Sequence, residues 1–228
     1  MSIYRSMFQL AETKDGSSTL INTQLQQSYH SMHGAIQESM HVFIKEGLLY
    51  YLEKFPNQNI EIFEMGYGTG LNAMLTYVET SKHQVYVVYK AAELFPIQSE
   101  LAKKLNYIDL LGLTESQFTS FHTFDTKSFS YVSANFKIEL LKTPFEIYQP
   151  TENSIDLIYF DAFSPSAQPE LWTIEAMDKC YKMLRSPGVW VTYSAKGAVR
   201  RALREVGFQV QKIPGPPGKR EMLRALKI

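Results

Sequence analysis

From residue 60 onward, apolar positions switch between the period of two that is typical of strands and the period near 3.6 that is typical of helices. Runs rich in β-branched and aromatic residues predict strands over 60–65, 84–90, 136–141, 155–161, 189–194, 208–213 and 221–227. Helical spacing predicts helices over 71–80, 96–105, 169–184 and 197–206, and a patchy helical pattern continues to about residue 133.

Strands that alternate with helices predict a doubly wound α/β fold with a parallel sheet. The last two predicted strands are joined by the segment PGPPGKR, residues 214–220, without a helix between them. Because a parallel pair needs a long crossover connection, this short Pro/Gly connector predicts an antiparallel hairpin. A parallel sheet with a C-terminal antiparallel hairpin is the Rossmann-like architecture expected of class I methyltransferases, and it is not expected of dehydrogenases.

Residues 1–59 lie outside this alternation. Apolar segments at 8–10 and 19–21 lie on either side of Lys14-Asp15-Gly16-Ser17, which predicts a hairpin. Helical spacing of apolar residues follows over 34–55. We therefore predict a small N-terminal cap over residues 1–59 and a larger domain over residues 60–228.

A glycine-rich turn joins the first strand of the larger domain to its first helix. Gly66, Gly68 and Gly70 follow the spacing G-x-G-x-G, whereas the third glycine of the dinucleotide fingerprint lies one residue later. Glycines permit a sharp turn and close approach of a ligand because they have no Cβ. Glu64 can accept hydrogen bonds from the ammonium of S-adenosylmethionine, so the segment favours that cofactor over NAD; a structural strand–helix turn is the alternative.

Three acidic residues end predicted strands or follow them closely: Glu64, Glu93 and Asp161. Ligands of open α/β sheets bind beyond the carboxyl ends of the strands. Glu93 lies where a carboxylate can bind both ribose hydroxyls, although a charge at a helix N-terminus is the alternative. Asp161 follows an almost unbroken apolar strand, so its carboxylate must face a cleft or be paired, because burying it alone is costly.

Composition indicates an ordinary globular protein: 228 residues are 45% hydrophobic and 20% charged. The single cysteine, Cys180, excludes an internal disulfide framework and is typical of a reducing compartment. The N-terminus lacks a signal-peptide core, and no uncharged apolar run reaches membrane-spanning length. We therefore expect a cytoplasmic protein that does not bind membranes. His30 and His33 have no third ligand nearby in sequence, so no metal site is predicted.

Charge is distributed unevenly, although the net charge is zero. Residues 196–228 contain nine basic and two acidic residues, whereas residues 1–195 contain 14 basic and 21 acidic residues. This asymmetry is a weak indication of a polyanionic partner, and a solvated basic helix face is the alternative.

Five segments together resemble one family. They are YHSMHGAIQESMHVFI (29–44), GYGTGLN (66–72), DAFSPSAQPELWT (161–173), TYSAKGAVRRALREVGF (192–208) and PGPPGKREMLRA (214–225). In this order they resemble the tRNA 5-methylaminomethyl-2-thiouridine methyltransferase family, the methyltransferase half of the bifunctional wobble-uridine modification enzyme. The resemblance covers nearly the whole chain.

The resemblance implies methyl transfer from S-adenosylmethionine to the 5-aminomethyl group of the wobble uridine. Asp161 would be the catalytic residue, which holds the amine and accepts its proton. The implied cofactor-binding residues are Glu64, Gly66, Tyr67, Gly68, Gly70, Asn72 and Glu93. The implied substrate-binding residues are Phe163, Pro165 and Trp172, which would form the wall of the base pocket, and the basic residues Lys196, Arg200, Arg201, Lys219 and Arg220.

The implied partners are tRNA, bound through its anticodon stem-loop, and a separate flavin-dependent oxidase that acts on the same nucleotide. In the bifunctional enzyme an oxidase domain follows; because this chain ends at Ile228, we expect no oxidase activity. The acidic residue that contacts adenine is left open between Glu139 and Glu146. Alternative functions are a small-molecule amine N-methyltransferase or an aminopropyltransferase on the same fold, and a non-catalytic cofactor- or RNA-binding module.

Overall fold

Apolar runs in the sequence become the buried centre of a large sheet in the computed structural model, which describes residues 7–56, 59–124 and 128–228. All six residues of the strand Ile155–Phe160 are buried, as expected for a strand that helices cover on both faces. Residues 1–6 and 57–58 of the predicted N-terminal cap lie outside the described residues, as do residues 125–127 of the patchy helical pattern.

The described residues form two sheets. A small antiparallel sheet contains β1 (Phe8–Glu12), β2 (Ser18–Asn22) and β3 (Gln27–Ser28). The large sheet contains β4 (Asn59–Met65), β5 (Tyr86–Ala92), β6 (Ser130–Ser133), β7 (Phe136–Leu141), β8 (Ile155–Phe160), β9 (Leu184–Thr192), β10 (Gln209–Pro214) and β11 (Glu221–Lys227). Its order is β10-β11-β9-β8-β4-β5-β7-β6.

The five central strands β9, β8, β4, β5 and β7 are parallel, and antiparallel strands lie at both edges. The predicted C-terminal hairpin is confirmed, since β10 pairs antiparallel with β11. Chain order reverses at β4, which has β5 on one side and β8 on the other. This reversal is the topological switch point, where ligands of doubly wound folds bind.

Helices cover the large sheet. The first helical segment, α1, runs as an α-helical turn (Ala35–Ser39), a π-helix (Met40–Leu49) and a second α-helical turn (Tyr50–Lys54). The others are α2 (Leu71–His83), α3 (Ser99–Ala102), α4 (Tyr107–Leu111), α5 (Glu115–Ser120), a 3-10 turn (Pro169–Trp172), α6 (Ile174–Met183) and α7 (Gly197–Glu205). Among the described residues, no helix is both long and apolar enough to cross a membrane.

The N-terminal segment packs directly on the large sheet. Helix α1 lies so close to the sheet that a Cβ built on Gly47 would be 3.1 Å from Val191 Cγ2 and 3.2 Å from Tyr159 Cε1. Asn106, on the loop before α4, accepts a hydrogen bond from Ser18 N and donates one to Gly16 O. The boundary near residue 60 therefore separates sequence patterns whose residues share one core, and the division into two domains stays a prediction.

One sequence prediction was wrong and another was too long. The patchy helical pattern does not continue to 133, because Ser130–Ser133 forms β6 and pairs antiparallel with β7. This pairing covers the outer edge of β7, a tertiary requirement that local helical spacing cannot indicate. The helix predicted over 96–105 is present only as Ser99–Ala102.

Replacement of Gly47 by valine tests the close approach of α1 to the sheet. Because the new methyl groups would overlap Val191 and Tyr159, we expect Gly47→Val to lower the free energy of unfolding by about 1–3 kcal/mol, as overpacked cores do. Urea denaturation measures the change. The matched control is Lys45→Val on the exposed face of α1, where helix propensity alone costs less than about 1 kcal/mol; equal losses in both variants would contradict the packing argument.

Candidate active site

The glycine-rich turn adopts backbone conformations that need glycine. Gly66, Gly68 and Gly70 all have positive φ, at +87°, +53° and +77°. A Cβ on Gly66 would lie 2.6 Å from the backbone oxygen of Asp161, because the loops after β4 and β8 pass each other there. Gly70 ends the turn and is the N-cap of α2. The turn is therefore held against the loop that contains Asp161.

Glu93 follows β5, beside the glycine turn. Its carboxylate accepts hydrogen bonds from Gly68 N at 3.2 Å and from Phe95 N at 2.9 Å. Burial raises the pKa of Glu93, and these backbone donors partly offset the shift. A carboxylate has about four acceptor sites, so it can still accept hydrogen bonds from two ribose hydroxyls.

A buried side-chain amide joins two carboxyl groups at the switch point. Asn72 Nδ2 donates to Glu64 Oε1 and to Asp161 Oδ2, both at 2.8 Å. Glu64 is fully buried and also accepts a hydrogen bond from the Tyr89 hydroxyl at 2.9 Å. Among the described residues, Asn72 Oδ1 is buried without a hydrogen-bond partner. The amide oxygen is thus available to a donor on a ligand.

Both carboxyl groups hold their protons more tightly than usual. Burial raises the pKa of Glu64 well above its usual range, and the nearby charge of Asp161 adds to the shift. Burial also raises the pKa of Asp161 well above its usual range, and so does the charge of Glu38, while Asn72 and Lys219 oppose the shift. Asp161 therefore has the raised proton affinity expected of a group that accepts a proton near neutral pH.

A cavity of about 650 Å³ lies over the switch point, within the size range of small-molecule sites. One wall is the glycine turn together with Asn72, Glu93 and Asp161. The N-terminal segment supplies the opposite wall through Tyr29, His30 and other residues. The sequence analysis did not assign the N-terminal residues to a site. Their signal was the segment 29–44 within the family resemblance, which gave no individual roles.

Tyr29 lies directly over the glycine turn. A Cβ on Gly68 would be 2.7 Å from Tyr29 Cδ1, so only glycine lets the ring approach this closely. The ring also packs edge-on against Phe163, with centroids 5.1 Å apart. The N-terminal segment and the loop after β8 thus meet in an aromatic contact above the cofactor turn.

The cavity wall is acidic. Its described lining residues include five acidic residues and one Lys or Arg residue, Lys219; the acidic residues are Glu38, Glu93, Glu146, Asp161 and Glu170. An excess of carboxylates attracts positively charged ligands into such a cleft. The arrangement is suited to a ligand that carries a sulfonium or an ammonium group.

The structure brings most of the predicted cofactor residues together. Gly66, Tyr67, Gly68, Asn72 and Glu93 line the cavity. Glu64 does not line it: this carboxyl group lies below Asn72 and is fully buried, and Gly70 lies behind the Tyr67 ring. Direct contact of Glu64 with a cofactor ammonium stays a prediction, and the geometry places Asn72 between the cavity and Glu64.

The predicted pocket-wall residues have different positions. Phe163 lines the cavity, whereas Pro165 and Trp172 are not among its lining residues. Trp172 is 7% exposed and donates a hydrogen bond from Nε1 to the Phe163 oxygen at 2.9 Å. Trp172 therefore supports the loop that carries Phe163 and packs in the core against Phe160.

The basic residues are spread over α7 and the connector before β11. Lys219 lines the cavity, whereas Lys196, Arg201 and Arg220 are exposed outside it and Arg200 is partly buried. Lys196 Nζ lies 3.5 Å from Ser166 Oγ, on the loop after β8. Of the two acidic residues left open for adenine, Glu146 lines the cavity and Glu139 does not.

Comparison with known proteins supports a cavity for S-adenosylmethionine at the switch point. A family model described as S-adenosyl-L-methionine-dependent methyltransferase matches residues 116–228. Two bifunctional proteins of tRNA 5-methylaminomethyl-2-thiouridine biosynthesis, both called MnmC, match 90% of the chain. The protein from Nitrosospira multiformis is 27% identical, and that from Leptospira interrogans is 29% identical. The chain covers 35% and 33% of their lengths, so it spans about a third of these curated relatives.

Solved structures give a consistent result. The crystal structure of MNMC2 from Aquifex aeolicus superposes with a TM-score of 0.70 and 26% identity, covering 96% of this chain and 70% of that one. A spermidine synthase in complex with a transition-state analogue shares the fold, with a TM-score of 0.57 and 15% identity over 96% of this chain and 72% of that one.

The strand order and the glycine turn at the switch point are those of the class I S-adenosylmethionine-dependent methyltransferase fold. Residues 116–228 match the family model of S-adenosyl-L-methionine-dependent methyltransferases, and the chain as a whole is similar to MNMC2 from Aquifex aeolicus and to about a third of the length of the bifunctional MnmC proteins.

The residues at the site fit the cofactor of this family. The turn can lie against the Asp161 loop and under the Tyr29 ring only because its glycines lack Cβ atoms. Asn72 Oδ1, which is buried without a partner among the described residues, is suited to the ammonium of the methionine moiety. Glu93 lines the cavity and would bind the ribose hydroxyls, and Glu146 lines it with Thr143 and Phe145. These groups would hold S-adenosylmethionine.

Glu64→Gln tests the protonation of the buried pair. Wild-type protein should lose stability relative to this variant as the pH rises from about 4.5 through the raised pKa of Glu64, because the native state holds a proton that the unfolded state releases. Glutamine can accept from Asn72 through its oxygen, and its amide can donate to the Tyr89 hydroxyl, because a tyrosine hydroxyl can accept as well as donate.

The measurement is the difference in unfolding free energy between wild type and Glu64→Gln, obtained by urea denaturation at a series of pH values. Glu53→Gln is the control, because Glu53 has a side chain that is 73% exposed. Parallel stability curves for wild type and Glu64→Gln across this range would contradict a protonated Glu64.

Proposed function

We propose that the protein transfers a methyl group from S-adenosylmethionine to the 5-aminomethyl group of the wobble uridine in tRNA. The observation that carries this proposal is Asp161, a partly exposed carboxyl group that lines an acidic cavity at the switch point and has a raised proton affinity. The names of the relatives, which refer to tRNA 5-methylaminomethyl-2-thiouridine biosynthesis, give the substrate.

S-adenosylmethionine supplies a methyl group that its sulfonium already activates. The remaining task of the protein is to orient an amine in line with that methyl and to remove the proton of the alkylammonium. Asp161 would hold the ammonium by a charge-assisted hydrogen bond and take one proton from it. Asn72 fixes the Asp161 carboxylate by donating to Oδ2 at 2.8 Å, which leaves Oδ1 to face the amine.

Binding of tRNA would use the aromatic residues and the basic surface together. Phe163 and Tyr29 present rings at the cavity, and stacking of an unstacked base on an aromatic ring contributes about 1–3 kcal/mol. Lys196, Arg201 and Arg220 are exposed on the side of the connector and α7, where they would bind phosphates of the anticodon stem without reading its sequence.

Aminopropyl transfer is the less favoured alternative. The similarity to spermidine synthase, at 15% identity, extends to the fold alone, whereas the relatives of this chain carry names from tRNA modification. The same proposal includes a separate flavin-dependent oxidase that acts on the same nucleotide. It also includes a cytoplasmic location for the protein.

The deciding assay is incubation with methyl-labelled S-adenosylmethionine and tRNA from cells that lack this activity, followed by digestion and mass spectrometry of the nucleosides. We expect the label in 5-methylaminomethyluridine. Asp161→Asn keeps an acceptor for Asn72 but cannot take the proton, so methyl transfer should fall by about 10²–10⁴-fold and lose the rise with pH that ionisation of Asp161 gives to the wild type.

Asp178→Asn, on the surface of α6, is the matched control for this series. Binding of S-adenosylmethionine, measured by calorimetry, should be retained in Asp161→Asn. If the methyl label entered small amines and not tRNA, the wobble-uridine assignment would be refuted. Full activity of Asp161→Asn would refute the role of its carboxylate.

Arg201→Ala tests the basic surface. If Arg201 neutralises one phosphate, tRNA affinity should fall for every sequence, and the slope of log affinity against log salt should decrease by about one. Filter binding at several salt concentrations measures this slope. Lys45→Ala, which changes an exposed side chain of α1, should leave the slope unchanged. Equal slopes for Arg201→Ala and wild type would exclude the contact between Arg201 and a phosphate.

A further inference from the structure

A side chain of the protein itself provides an ammonium group in the acidic cavity. Lys219 Nζ lies 2.5 Å from Glu38 Oε1 and 4.1 Å from the centroid of the Tyr193 ring. All three residues line the same cavity as Asp161. A carboxylate and an aromatic face on one ammonium form a typical receptor for an organic cation.

Two distant parts of the chain hold this receptor in place. Glu38 is 8% exposed, and its second oxygen accepts a hydrogen bond from Ser31 N at 2.8 Å. The connector that carries Lys219 approaches the loop before α1 so closely that any side chain on Gly218 would overlap the His33 ring. His41 Nε2 lies 2.9 Å from the Pro214 oxygen, which ties the same connector to α1.

Asp161 belongs to the same electrostatic cluster. The charges of Asp161 and Glu38 both raise the pKa of Tyr193, although burial is the larger cause. The Tyr193 hydroxyl donates to the oxygen of Ala162, the residue after Asp161, at 2.9 Å. Glu38 and Asp161 therefore both lie near this ring, and the Lys219 ammonium contacts Glu38 and the ring at the same cavity.

We propose that Glu38, Tyr193 and Asp161 form the receptor for the primary ammonium of the substrate, and that the Lys219 ammonium fills this receptor until the substrate displaces it. The inference rests on the proposed function, because it identifies the group of that substrate which the site recognises. Both cations are primary alkylammonium ions, so the same carboxylate and ring suit both.

The two carboxylates then have different tasks. Glu38 binds the ammonium, whereas Asp161 takes one proton and leaves a neutral amine that can attack the methyl group. When the substrate displaces it, Lys219 remains next to exposed Arg220 in the connector, where its charge is available to an RNA phosphate. Glu38 is therefore a substrate-binding residue that the sequence analysis did not identify.

Matched RNAs test the receptor through charge. Two anticodon stem-loops carry 5-aminomethyluridine, which is cationic at pH 7, or 5-hydroxymethyluridine, which is neutral and of similar size. With S-adenosylhomocysteine bound, calorimetry should show that wild type prefers the cationic RNA about tenfold, as a hydrogen bond to a charged group allows. Glu38→Gln should remove this preference and keep the affinity for the neutral RNA.

Lys219→Met should increase the preference, because the competing ammonium is gone. Glu170→Gln, which changes another carboxylate at the cavity, should keep the wild-type preference. An unchanged preference in Glu38→Gln, or equal loss of affinity for both RNAs, would overturn the proposal, because a structural role does not distinguish the two charges.

A second probe separates this inference from the proposed function, since it needs no RNA. In Lys219→Ala the receptor is open, and ethylammonium chloride should raise the melting temperature above that in sodium chloride of equal ionic strength. The double variant Glu38→Gln/Lys219→Ala should show no such difference. Stabilisation by ethylammonium together with no preference between the RNAs would retain the receptor and reject the RNA substrate, whereas no stabilisation would reject the receptor.

Discussion

The hydrogen bonds from Asn72 to Glu64 and Asp161 are the interactions on which the site depends. They join the end of β4 to the end of β8 at the point where the strand order reverses. Glu64 is buried and Asp161 is partly exposed, and two carboxyl groups so close together would repel each other if both were charged. One proton and the amide of Asn72 therefore stabilise the arrangement. Burial at this point of the sheet, together with the charge of Glu38, raises the pKa of Asp161, while the hydrogen bond from Asn72 opposes the shift.

The acidity of the cleft follows from the same geometry. Parallel strands direct their carboxyl ends to one edge, and the chain places Glu93 just beyond β5 and Asp161 just beyond β8. The N-terminal segment adds Glu38 and covers the opening with Tyr29. Charge attraction thus selects cationic ligands, while the glycine turn and the aromatic rings determine which of them fit.

Local patterns predicted most of the fold, because strands buried on both faces and a glycine turn leave strong signals in a short window. The central strands, the antiparallel hairpin and α2 were all anticipated, as were Gly66, Glu93 and Asp161 at the strand ends. The edge strand β6 was not, because its pairing with β7 depends on a neighbour and its own sequence carries little strand pattern.

The sequence by itself determined where the chain turns and which carboxyl groups follow buried strands, since these depend on neighbouring residues. Only the tertiary structure decided that Glu38 and Lys219, which are 181 residues apart, meet at Tyr193 beside Asp161. It also decided that Trp172 supports the loop of Phe163 and that Asn72 separates Glu64 from the cavity. Contacts of this kind arise from packing α1 and the connector on the sheet, and no local period encodes them.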